Sequence, residues 1–156
     1  MNYEESHYGQ KAEENFKKGY NCAQAVLLAF EDLHGIDSVT ASRLGSSFGG
    51  GMGRLREVCG AVSGMFLVAG ALYGYDMPGD FQGKKEHYER IQQLAKAYEA
   101  ENGSIVCREL LGLDNKREEP VPELRPEEYY KKRPCGKLIR MAAAMMEEYI
   151  REHTKV

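Results

Sequence analysis

The stretch VCGAVSGMFLVAGALYGY, from Val58 to Tyr75, decides the fold. It carries no charged side chain, with Arg54 and Arg56 before it and Asp76 after it. Its length approaches the roughly 20 apolar residues that a bilayer core takes. Gly60, Ser63, Gly64, Gly70 and Gly74 dilute its hydrophobicity, however, and the mean hydropathy of the chain is −0.55. All-round apolarity in a chain otherwise rich in charge reads as a helix enclosed by protein. An integral membrane protein is therefore not expected. The reading is a central helix from about Leu55 to Tyr73, with Gly60-x-x-x-Gly64 and Gly70-x-x-x-Gly74 as smooth faces for close helix packing.

Working outward, the flanking segments read as amphipathic helices. Tyr8, Ala12 and Phe16 recur every four residues between Glu4 and Lys18, and Gly19 stops that helix. Asn21 is placed to cap a second helix from Cys22 to about His34, which Gly35 ends. Asp37 or Ser38 caps a short helix through Leu44. Ser46 to Gly53 is a glycine-rich loop. Asp80 caps a long helix from Phe81 to about Glu101, with Ile91, Leu94, Ala95 and Tyr98 as its buried stripe. Ser104 caps a short one from Ile105 to Leu111. Gly112 to Arg133, with Pro120, Pro122 and Pro126 and balanced charge, is a solvated connection with room for one helical turn after Pro126. Pro134 suits the first position of a last helix running to about His153. Residues 36–79 hold ten of the seventeen glycines and only six charged side chains, which sets the centre apart from the ends. The expected fold is all-α: a single domain over residues 1–156, a bundle of about six or seven helices around the buried Gly-rich one.

Composition narrows the function classes. With 21 basic and 24 acidic residues the net charge is −3, which argues against a nucleic-acid binder. The first eighteen residues hold four glutamates and three lysines and no apolar run, so no secretory signal is read there. The expected compartment is the cytoplasm, where thiols stay reduced.

Chemistry enters with Cys22, Cys59, Cys107 and Cys135, which are 37, 48 and 28 residues apart. No Cys-x-x-Cys occurs, which excludes a thioredoxin-type motif, a zinc knuckle and a haem attachment. Free cysteine is a small hydrophobe that often packs in cores. Here, though, all four fall near an expected helix start, where free N–H groups and a partial positive charge favour thiolate. Arg56, three residues before Cys59, would share its helix face and add to that effect. Cys59 is thus the expected low-pKa attacking thiol.

These residues also carry a resemblance. Asn21-Cys22-Ala23, Phe48-Gly49-Gly50-Gly51-Met52-Gly53, Glu57 through Gly64, Ser104 through Gly112, and Cys135 together resemble the C-GCAxxG-C-C family of redox-active proteins, over about residues 8 to 150. The family label writes Gly-Cys-Ala-x-x-Gly, whereas this chain has Cys59-Gly60-Ala61-x-x-Gly64. The resemblance implies redox activity through the four cysteines and a functional link to transporters. It names no substrate and no redox partner.

Three chemistries suit four thiols: dithiol–disulfide cycling, an iron–sulfur cluster, and structural zinc, the last disfavoured because close ligand pairs are missing. The cofactor therefore stays open, with an iron–sulfur cluster as one candidate and all four cysteines as its ligands. The expected function is thiol–disulfide or iron–sulfur electron transfer, of oxidoreductase type if the protein is an enzyme. The competitor is a non-catalytic metal-binding or adaptor bundle. Gly60, Gly64 and Arg56 are the expected lining of the pocket beside Cys59. The glycine loop lacks the Gly-Lys-Ser/Thr ending and the preceding strand of a nucleotide site. His87 would face the site only if the long helix packs beside it. Tyr129-Tyr130 reads as a local anchor or part of a subunit contact, and the Gly-rich surface of a small bundle raises the expectation of a homodimer.

Overall fold

The structure, a computed structural model, describes residues 2–113 and 117–153, with Lys131 and Lys132 described by their backbone only. Residues 114–116 of the expected connection lie outside the described residues. Besides two short 3-10 turns, ten α-helical segments follow in order among the described residues: α1 (His7–Lys17), α2 (Cys22–Ala29), α3 (Glu31–His34), α4 (Ser38–Gly45), the single turn α5 (Gly49–Met52), α6 (Gly60–Tyr73), α7 (Phe81–Asn102), α8 (Cys107–Leu110), α9 (Glu127–Lys132) and α10 (Cys135–His153). Among the described residues no strand forms; one isolated antiparallel bridge joins Val58 to Val106. The fold is all-α, as expected. No helix of the described residues is long and apolar enough to cross a membrane.

Asn21, Asp37 and Asp80 cap as read, but Ser104 does not: its hydroxyl accepts from the Val106 N–H, and α8 starts only at Cys107 with no side-chain cap. Asn21 accepts from the Gln24 N–H while Gln24 accepts from the Asn21 N–H, a reciprocal box that satisfies two otherwise free donors at the start of α2. Asp37 and Asp80 cap α4 and α7 one way only, accepting from the Thr40 and Gly83 N–H groups. Gly35 and Gly103 leave their helices in the left-handed conformation that costs glycine least.

The centre is shared, which the sequence did not suggest. α2 and α6 pack along each other, α1 packs on α2 and α10, and α7 lies more loosely across α6 and α10. α2 is buried on nearly every side, from Ala23 and Ala25 to Ala29. α6 is enclosed at its start and emerges toward its end. Gly64 makes the close approach: a Cβ there would lie 2.8 Å from the Ala23 carbonyl oxygen and 2.9 Å from Val26 Cβ. The expected second smooth face is not used, since nothing stands within 4 Å of the corresponding point at Gly70.

The other departure lies just before α6. The helix starts at Gly60, not near Leu55. Residues 56–59 instead lie alongside 105–108: the Cys59 N–H donates to Ile105 O (2.7 Å), and the Cys107 N–H to Glu57 O (2.6 Å). Met52, Arg54 and Arg56 take φ values of 70°, 68° and 58°, a left-handed backbone uncommon outside glycine. That geometry is incompatible with helix, so the assumed three-residue spacing of Arg56 and Cys59 on one helix face does not exist.

Candidate functional site

All four cysteines stand at helix starts. Cys22, Cys107 and Cys135 are the first residues of α2, α8 and α10, and Cys59 is the residue that precedes α6. The starts face one another across a cleft of about 510 Å³, and all four cysteines line it. Glycines let them meet. A Cβ on Gly51 would lie 2.6 Å from Cys107 Cβ and 2.8 Å from Arg56 Cα, and one on Gly60 would lie 2.8 Å from Cys22 Cβ. Such separations admit no side chain, so each glycine is required by the approach it permits. Gly60 lines the cleft as expected. Gly64 does not; it lies one turn deeper, where α6 meets α2.

Arg56 lines the cleft but serves a different cysteine than expected. Its Nη1 donates to Cys107 Sγ (3.5 Å) and its Nε to Glu118 (2.9 Å). Burial works against its charge, but Cys107 and Glu118 more than restore it, and Arg56 stays cationic. The same contact holds the Glu118 carboxyl below its ordinary range. Arg54 binds Glu118 as well, and donates to the Glu119 carbonyl (2.7 Å). These arginines pin the proline-rich connection across the cleft.

The four thiols differ sharply in proton affinity. Burial pushes Cys59 up to about 11, and its sulfur lies 3.8 Å from the buried Tyr98 hydroxyl. The expectation that Cys59 is the readily ionised thiol is thereby corrected: it has no guanidinium at its side, and desolvation outweighs its helix start. Burial also raises Cys107, with Arg56 opposing. Cys22 and Cys135 shift each other in opposite senses. Hydrogen bonding from Cys22 is the largest influence lowering Cys135, to about 7, with Arg133, the Tyr129 hydroxyl and Arg56 assisting against burial. The same interaction raises Cys22. Of this pair, Cys135 is the thiol that more readily carries the charge.

No cysteine is bonded to another. Nor do three His, Cys, Asp or Glu side chains of the described residues gather into a group that would hold a metal ion. Among the described residues, then, the four thiols share one cleft, but no three of them stand together as a ready metal-ligand group.

Sequence reasoning missed Tyr129, Glu118 and Arg133. Tyr129 lines the cleft beside Cys135. The signal was its position on the turn that Pro126 begins, just ahead of the Pro134 start of α10. Tyr130 is the packing member of the pair, edge-on to Phe16 at 5.6 Å. His87 does not reach the cleft and lies against Arg90 (2.8 Å).

A family model described as putative redox-active protein (C_GCAxxG_C_C) matches residues 20–149, which includes all four cysteines. No curated protein and no solved structure matches the chain.

Proposed function

This chain belongs to the C_GCAxxG_C_C family of putative redox-active proteins, and from that premise we propose that it carries out thiol–disulfide exchange, with Cys135 attacking and Cys22 resolving. The observation that carries this reading is that both thiols open helices onto one cleft, where Cys22, Arg133 and Tyr129 lower Cys135. The thiolate is the nucleophile in such exchange, and a thiol whose pKa lies near ambient pH attacks best.

The Cys135 thiolate attacks one sulfur of a substrate disulfide. The substrate S–S bond breaks, its electron pair leaves on the distal sulfur, and that thiolate takes a proton from solvent. Cys22 then gives up its proton and attacks the Cys135 sulfur. The second substrate thiolate departs with its electron pair, is protonated in turn, and leaves a Cys22–Cys135 disulfide. Two electrons pass from the protein dithiol to the substrate, and an external dithiol reductant restores the pair. Oxidised substrate and reductant are compatible with a reducing cytoplasm, the compartment expected for this chain. Cys59, held protonated by burial, takes no attacking role.

The test is disulfide reduction by the reduced protein. C135S is expected to fall to the background of buffer alone. C22S is expected to stop after one event, with the substrate half joined to Cys135 and visible in the intact mass. Full activity in C135S would overturn the reading. So would stoichiometric iron and acid-labile sulfide in protein purified without oxygen.

A further inference from the structure

Resting on that reading, the structure assigns a substrate class to the cleft: we propose that it takes a small disulfide bearing a carboxylate, with Arg125 receiving the carboxylate.

Three observations carry this. The first is access. Cys59, Cys107 and Cys135 are 6–8 % exposed, so a disulfide fixed on the surface of another folded protein cannot bring its sulfurs to them. A volume of about 510 Å³ falls instead within the range of roughly 300–1,000 Å³ typical of small-molecule sites. The second is the sign of charge. Arg54, Arg56 and Arg125 line the cleft, against the single acid Glu123 among the described residues, and Glu123 is already engaged by Arg133 (3.0 Å) and Arg54 (3.9 Å). The third is availability. Arg54 and Arg56 are bound to Glu118, whereas Arg125 pairs with no carboxylate among the described residues. It donates to the Tyr20 carbonyl (3.2 Å), two residues before Cys22, and lies over the Phe16 ring at 4.5 Å. It is half-buried on the lining of the cleft, and its contacts are a carbonyl and an aromatic ring, so its charge has no anionic partner among the described residues. A planar guanidinium so placed suits two-point recognition of a carboxylate.

The experiment compares reduction of 3,3′-dithiodipropionate with that of cystamine, its cationic counterpart. The wild type is expected to favour the dicarboxylate by about tenfold or more in kcat/KM, and R125Q to bring that ratio toward one, mostly through KM. A ratio near one in the wild type, or an unaltered ratio in R125Q, overturns the proposal. A second measurement does not need turnover. Octanedioate, which has no sulfur to exchange, is expected to slow alkylation of Cys135 at concentrations where 1,8-octanediol does not, and R125Q is expected to lose that protection. Equal protection by the diol, or none by the diacid, overturns the ligand class. Protection without any disulfide reduction would sink the exchange reading and leave the ligand assignment standing.

Discussion

The cleft has two sides built differently. On one, Cys22 and Cys135 open the helices α2 and α10, which pack in the core. On the other, Cys59 and Cys107 each directly follow an extended segment, the two segments being bridged at Val58 and Val106. Every one of these sulfurs is at a helix start, yet only Cys135 is lowered. Position at a helix N-terminus is therefore common to all four and explains none of the difference. A tyrosine hydroxyl stands by both Cys135 and Cys59 and burial raises both; what separates them is the thiol donor and the cations that only Cys135 has. A helix terminus is worth typically 0.3–1 kcal/mol, less than the cost of burying a thiolate.

The largest expected effect sharpens that contrast directly. With Cys135 near 7 and Cys59 near 11, alkylation at pH 7 should favour Cys135 by on the order of a thousandfold or more in thiolate fraction alone. Because Cys135 is lowered, its thiolate persists above pH 7 and disappears below it, so its rate should drop about tenfold per pH unit on the acid side. Peptide mass mapping after timed labelling reads both values. Equal labelling of the two cysteines would erase the distinction.

The next expected effect breaks the bridged side alone. Gly51→Ala places a methyl 2.6 Å from Cys107 Cβ at a φ of 71°. A loss of about 3 kcal/mol is expected from overpacking and backbone strain together. The urea midpoint measures it, and the Cys107 contact with Arg56 should be lost first. Smaller again is Arg56→Gln, which removes the charge shared by Cys107 and Glu118. We expect about 2 kcal/mol of destabilisation and slower labelling of Cys107, with a lesser change at Cys135. If Cys135 responded more strongly than Cys107, the two sides would not be electrostatically separate.

Much of this was legible along the chain. Asn21, Asp37 and Asp80 announced helix starts because a short polar side chain ahead of an apolar period has little else to do than cap. The apolar run after Cys59 announced a buried helix. The rest was not legible, for reasons of backbone conformation. Nothing about Met52, Arg54 or Arg56 as residue types signals left-handed backbone, since the surrounding fold imposes it. Once those residues left the helix, the partner of Arg56 changed from Cys59 to Cys107. Glu118 and Arg125 were unreadable for another reason: a charged, proline-rich stretch looks the same whether it floats in solvent or lies pinned across a cleft. The second core helix, α2, was understated because its Ala-rich faces left the extent of burial undecided.

One consequence reaches beyond the cleft. Cys22 and Cys135 are 113 residues apart, so joining them would tie most of the polypeptide into a single covalent ring. A loop of that size removes enough freedom from the denatured chain to be worth about 4–5 kcal/mol. Oxidation at this pair would then register throughout the molecule as resistance to heat, and a melting curve would read its electron count.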